Sequence, residues 1–140
     1  MLTDLDHIGI AVTNLDVSTE FYVESLGVTP FHRETIESQG VKEVLFRTGR
    51  SYIQLLEPLG PDTPVGKYMA KWGPGMHHIG YRVDDIVAAL AHFKQLGVPL
   101  IDQVPRIGSL GNTIAFVHPK AYENTLVELV QDITTLPTHD

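Results

Sequence analysis

His7 and His78 each open a His-Ile-Gly tripeptide, 71 residues apart, and each begins a run in which apolar residues alternate with small or polar ones. Successive side chains of an extended strand point to opposite faces. Ile8, Ile10 and Val12 therefore share one face, and His7, Gly9 and Ala11 the other. The second run sorts the same way, with Ile79, Tyr81 and Val83 against His78, Gly80 and Arg82. Two more polar groups interrupt apolar faces: Gln54 between Tyr52 and Leu56 in SYIQLLEP, and Glu128 between Leu126 and Val130 in TLVELVQ, 74 residues later. Each half of the chain thus offers one imidazole and one oxygen donor. An ionised carboxylate inside a strand costs roughly several kcal/mol unless it is paired, so Glu128 needs a cation or a strong hydrogen-bond donor. A lone strand histidine or glutamine is ordinarily a hydrogen-bonded core residue, but recurrence of both at equivalent places in two halves points to a metal site. Two imidazoles, an amide oxygen and a carboxylate suit Co2+, Mn2+, Ni2+, Fe2+ or Zn2+. With Gln54 neutral, the ion and its protein ligands sum to a single positive charge. Such a site favours an anionic bidentate ligand, for example a 1,3-dicarbonyl, and stabilises a developing oxyanion. In VKEVLF, Glu43 shares a face with Val41 and Leu45; a carboxylate there is either a general base or a member of an ion pair.

The elements that must position these residues follow from an internal repeat. HIGIAVTNLDVSTEFYVESLGVTP aligns with HIGYRVDDIVAALAHFKQLGVPL, and Leu-Gly-Val recurs after 70 residues, from Leu26 to Leu96. Each copy reads as a strand, a helix ending at a glycine (Gly27, Gly97) suited to a left-handed cap, and then further strands. This is an α+β chain of two tandem βαβββ modules whose curved mixed sheet surrounds a metal cleft. It forms one domain, with module 1 over about 1–58, a connection over about 59–75 and module 2 over about 76–140. The first helix is expected to bury Val17, Phe21 and Tyr22, and the second Ile86, Ala89, Leu90, Phe93 and Leu96. Prolines and glycines flank a short helix expected from Pro64 to Lys71 in the connection. The segment RIGSLGN, Arg106 to Asn112, is either a plain hairpin loop or a ligand-contacting one.

Composition narrows the function classes. With 140 residues, 43% of them hydrophobic, the chain builds a core without staples, and the absence of cysteine excludes disulfides, thiolate metal sites and cysteine nucleophiles. A net charge of −7 with no Lys/Arg cluster beyond a pair argues against nucleic acid as a partner. No stretch approaches the length of a membrane span, and the opening MLTDLDHIGIAV has no cationic segment ahead of its apolar run, so a cytoplasmic protein with no membrane partner is expected.

The ordered set DHIGIAV, QGVKEV, YIQLLEP, AKWGPGMHHIGYRVDD, HPK and LVELV resembles the methylmalonyl-CoA epimerases, of the glyoxalase or vicinal oxygen chelate superfamily, across nearly the whole chain. The resemblance implies that His7, Gln54, His78 and Glu128 bind one divalent metal per chain, often cobalt in this family. It also implies an acyl-CoA substrate whose two C2 epimers are interconverted through an enolate, and a homodimeric assembly. Inversion needs proton removal from one face and delivery to the other; Glu43 is the first acid/base, and the family analogy makes Glu128 the second. Lys71, Arg106, Ser109, Asn112 and Lys120 are candidates for the CoA phosphates or the substrate carboxylate, against a reading of the cations as solvated surface charge. His77 falls on the opposite strand face from His78, and His32, His92, His118 and His139, which have no repeat partner, receive no role. Before LVELV the family usually carries glycine where this chain reads Glu123-Asn124-Thr125, and asparagine is expected to keep a left-handed turn there. The alternatives are a lactoylglutathione lyase (glyoxalase I), an extradiol-type dioxygenase, against which the fourth ligand Gln54 argues, or a non-catalytic ligand-sequestering protein of the same fold. Metal content and proton exchange discriminate the last of these.

Overall fold

The computed structural model describes residues 1–133. The chain runs β1 (Leu2–Ala11), α1 (Leu15–Leu26), β2 (Pro30–Ile36), β3 (Val41–Thr48), β4 (Ser51–Pro58), α2 (Pro64–Trp72), β5 (Gly75–Val83), α3 (Ile86–Gln95), β6 (Arg106–Ile107), β7 (Thr113–Val117) and β8 (Val127–Gln131). Strand, helix and three strands occur twice with α2 between them, as the repeat predicts. Two compact units result: His7–His77, and Met1–Asp6 together with the residues from His78 onward.

In the first unit the strand order is β2-β3-β4-β1. Only β1 and β4 run parallel, in a register that sets His7 beside Tyr52 and Gly9 beside Gln54. The β2-β3 and β3-β4 pairs are antiparallel, placing Glu34 opposite Glu43 and Leu45 opposite Gln54. α1 starts where Asn14 accepts a hydrogen bond from the Val17 amide and ends at Gly27, whose φ of 68° needs no Cβ. Its buried side is set by Leu15, which packs with Val12, Val44, Phe46 and Leu55 while Tyr22 lies against the cluster. The expected stripe holds only at Tyr22, because Val17 and Phe21 are 63% and 55% exposed. The contact face of α1 follows residues 15, 18, 19 and 22, where Ser18 and Thr19 supply small polar positions that a search for apolar residues passes over. Glu57 anchors the same helix by accepting from the Leu15 amide at 2.9 Å and pairing with Lys42 at 3.0 Å. The backbone hydrogen bond, assisted by Lys42, holds the Glu57 carboxyl below its ordinary value of 4.5 despite partial burial.

α2 is capped by Thr63 and extends one residue beyond Lys71. Its Gly66 lies so close to the preceding turn that a Cβ would come within 2.2 Å of the Gly60 carbonyl oxygen. Glycine is required there by backbone packing.

In the second unit the order is β5-β8-β7-β6. β5 is parallel to β8, with Gly80 beside Glu128, and β7 runs antiparallel to β8 and β6. α3 is capped by Asp85 and buries Ile86, Ala89 and Leu90, with Phe93 packed on the same core. Leu96, expected in that stripe, is 65% exposed: it is the C-cap residue, where the helical periodicity has ended. The segment after Arg106 joins antiparallel β6 and β7, so it is a hairpin connection. Among the described residues no helix is long and apolar enough to cross a membrane.

Candidate active site

The first unit supplies His7, Glu43 and Gln54, all on pleats that face inward. They are 1%, 0% and 3% exposed. His7 stacks on its register neighbour Tyr52, with ring centroids 4.9 Å apart and planes 14° from parallel, which fixes the orientation of the imidazole. Gln54 Nε2 donates to Glu43 Oε1 at 2.7 Å, a short charge-assisted bond in a dry setting. That bond settles which end of the amide is which. The other end, Gln54 Oε1, is buried and has no hydrogen-bond partner. A buried acceptor left open is rare unless something outside the protein chain completes it.

His32 also belongs to this group, although sequence reasoning gave it no role. It is half-buried on β2, with Nε2 3.6 Å from Glu34 Oε2 and 3.8 Å from Glu43 Oε2. The available signal was His32-x-Glu34, two residues on one face of a strand, but neither has a counterpart in the second module.

The second unit supplies His78 and Glu128, 5% and 6% exposed. His78 Nε2 lies 3.3 Å from Glu128 Oε2, and the edge-on Phe116 ring, 5.7 Å away, walls the imidazole. Further along the same face Arg82 donates from Nε to Asp6 at 2.9 Å. Burial works against the Arg82 charge, but the hydrogen bond and the attraction of Asp6, with Asp132 and Asp4, more than offset it and raise its pKa. His77 takes the other pleat, as strand alternation requires, and meets Tyr68 edge-on at 4.7 Å. Burial lowers the His77 pKa from 6.5 to about 4, so it is neutral at neutral pH.

The candidate substrate contacts divide. Ser109 and Asn112 are buried, and Asn112 Oδ1 accepts from the Ile133 amide at 3.2 Å. Arg106 pairs with Asp102 at 3.3 Å and lies 5.4 Å from the centre of the Phe116 ring, the ring that also borders His78. Lys71 and Lys120 are exposed, and Lys71 sits over the Trp72 ring at 5.1 Å. His139 lies outside the described residues.

His7, His78 and Glu128 are buried donors of the types that hold a metal ion. The open Gln54 Oε1 is a further oxygen donor in the first unit, and imidazole nitrogens with carboxylate and amide oxygens are donor types that fit a divalent cation.

Residues 6–116 match the Glyoxalase/Bleomycin resistance protein/Dioxygenase superfamily. The ethylmalonyl-CoA/methylmalonyl-CoA epimerase of Cereibacter sphaeroides is 34% identical over 94% of this chain and 99% of its own. A solved methylmalonyl-CoA epimerase in complex with methylmalonyl-CoA and NH4+ is 42% identical, with a TM-score of 0.92 over 96% of this chain and 98% of that one. The chain belongs to the methylmalonyl-CoA epimerase family. The Streptomyces coelicolor methylmalonyl-CoA epimerase, solved with 2-nitronate-propionyl-CoA, is likewise 42% identical over 95% of this chain and 96% of its own, with a TM-score of 0.90. Where epimerases were expected to carry glycine, this chain makes the left-handed turn without it: Glu123 and Asn124 have φ of 47° and 56°.

Proposed function

We propose that this protein interconverts the (R) and (S) forms of methylmalonyl-CoA at C2, with His7, Gln54, His78 and Glu128 binding one divalent cation per chain, cobalt in the native enzyme. The observation that carries the site assignment is Gln54, whose amide N–H is committed to Glu43 while its buried oxygen is left open. The recurrence of one imidazole and one oxygen donor in each module supports sharing of the cation between modules about 1–58 and about 76–140, joined by about 59–75 into one domain. When bound, the cation supplies Lewis-acid stabilisation of the negative charge that develops on the substrate oxygens.

The protein's own groups then do the proton chemistry. Glu43 takes the C2 proton: it is wholly buried, so its carboxylate is poorly solvated, and Gln54 Nε2 fixes the carboxylate through Oε1. Glu128 serves as the second acid/base on the opposite face of C2. Stacking on Tyr52 orients the His7 ring, and the Phe116 ring lies edge-on to His78. Arg106, Ser109, Asn112, Lys71 and Lys120 are assigned to the CoA phosphates and the substrate carboxylate. The large apolar side chains left exposed, among them Leu2, Phe21 and Tyr122, support a homodimer, and the cysteine-free composition supports a cytoplasmic setting.

The test is conversion of single-epimer methylmalonyl-CoA by protein as purified, stripped by chelator, and reloaded with Co2+. Activity lost on stripping and regained on reloading is expected; no conversion in any state contradicts the assignment.

A further inference from the structure

The strand face that carries His7, Glu43 and Gln54 continues outward through Tyr52 to Phe31 and Arg47. The registers put Tyr52 beside His7 on β1 and opposite Arg47 on β3, and residues paired across a sheet share a face. Phe31 joins them through a bulge. Pro30 pairs with Phe46 and His32 with Leu45, so β2 carries one extra residue at this point, and that residue is Phe31. A bulge re-aims a side chain that strict alternation would send elsewhere. The Phe31 ring meets Tyr52 edge-on at 6.1 Å, and the Arg47 guanidinium carbon lies 4.4 Å from the centre of the Phe31 ring. Tyr52 in turn stacks on His7. All four residues belong to the first unit.

Arg47 differs from the arginines that are matched with acids. Arg33 pairs with Asp16, Arg82 with Asp6 and Arg106 with Asp102. No carboxylate among the described residues pairs with Arg47, whose charge rests on an aromatic face and stays exposed. A guanidinium held on a ring keeps its N–H fork open for an anion. In a chain of net charge −7 it is also a local exception to a field that repels anions. β3 lies two strands from β1, so the backbones of Arg47 and His7 are roughly 10 Å apart at the usual strand spacing. That is too far for a small carboxylate next to the reacting carbon, and it suits the phosphates at the other end of a pantetheine arm.

We infer that Arg47, steadied by Phe31, binds a phosphate of the CoA moiety, a contact in the first module that adds to those assigned above. The inference rests on the reading of the substrate as an acyl-CoA. Guanidinium and phosphate meet through paired N–H···O bonds, and the Phe31 ring restricts the guanidinium before the ligand arrives, which lowers the ordering cost of binding.

The experiment measures epimerisation of methylmalonyl-CoA and of methylmalonyl-pantetheine, which lacks the phosphates, by metal-loaded wild type, Arg47→Ala, Arg47→Lys, Phe31→Leu and Arg33→Ala. Wild type is expected to favour the CoA ester in kcat/KM, and Arg47→Ala to lose about tenfold of that preference through KM for the CoA ester. Arg47→Lys should recover part of it, because lysine restores the charge without the fork. Phe31→Leu is expected to lose about two- to fivefold. Arg33→Ala removes the same charge from a residue paired with α1 and should keep the wild-type preference. No preference in wild type, an unchanged preference in Arg47→Ala, or an equal loss in Arg33→Ala overturns the contact. A loss that falls equally on both esters also overturns it, in favour of a packing role through Tyr52 and His7. Calorimetric binding of free CoA to the same proteins separates the two levels. If wild type converts neither ester, the epimerase reading falls; the phosphate contact then stands only if wild type binds CoA and Arg47→Ala binds it about tenfold more weakly, and otherwise falls too.

Discussion

Replacement of Gln54 by leucine tests the site's construction more sharply than removal of a histidine, because two consequences with different signatures follow from one side chain. Leucine has nearly the same volume, so the cavity term is small. What goes is the 2.7 Å hydrogen bond to buried Glu43 and the open Oε1. A hydrogen bond to a charged group is worth about 1.5–3 kcal/mol, and the metal-free protein should lose stability in that range. At about 2–4 °C per kcal/mol for a chain of this size, the midpoint of thermal unfolding drops by about 3–12 °C. The second consequence appears on adding metal. At a Co2+ concentration a hundredfold above the wild-type Kd, binding stabilises the folded protein by about 2.7 kcal/mol, whereas a hundredfold weaker site returns only about 0.4 kcal/mol. Thermal unfolding of wild type and Gln54→Leu, each with chelator and with Co2+, reads both effects. An equal Co2+-induced shift in the two proteins refutes Gln54 as a ligand, and an unchanged midpoint in chelator refutes the energetic role of the Glu43 bond.

Glu43→Ala should keep its metal, measured by elemental analysis, while epimerisation falls by about a hundredfold or more, the usual worth of a positioned acid/base; His78→Ala should lose both. Glu57→Gln should flatten the low-pH arm of stability. The folded-state pKa of Glu57 lies below 4.5, so its contribution is present above that value and is lost as pH falls below it. Denaturant titrations from pH 6 down to pH 3 should therefore show wild type and variant converging at the acid end. Gly66→Ala forces a Cβ to within 2.2 Å of the Gly60 carbonyl oxygen, and a loss of about 3 kcal/mol is expected by denaturant unfolding. Glu123→Gly removes the strain of an exposed left-handed residue at φ 47° and should gain about 1 kcal/mol or slightly less, since glycine also loosens the unfolded chain.

The two-module fold was legible because each histidine-led strand and each glycine-capped helix is written twice, and strand period two separates His7 from Ile8 and His78 from Ile79. The ligand candidates were legible for the same reason: a polar residue on an apolar strand face stands out, and its recurrence makes the pattern specific. Helix faces were less legible. α1 buries a mixed stripe of Leu15, Ser18, Thr19 and Tyr22, so hydrophobicity misidentified its inner side. His32 was not found because its place beside Glu43 comes from cross-strand register between β2 and β3, which depends on turn geometry around Gly40 rather than on any local pattern. The bond from Gln54 to Glu43 is of the same kind: both residues were singled out separately, but their pairing needed the diagonal offset between β3 and β4.

The most direct test of the central claim is deuterium incorporation at C2 of methylmalonyl-CoA in D2O, followed by NMR, with protein as purified, chelator-stripped and metal-restored. Exchange at C2 that disappears with the metal and returns on its restoration is the predicted result, and it requires both an acid/base within reach of C2 and an enolate stabilised at the site. Absence of exchange in every metal state would contradict the epimerase account.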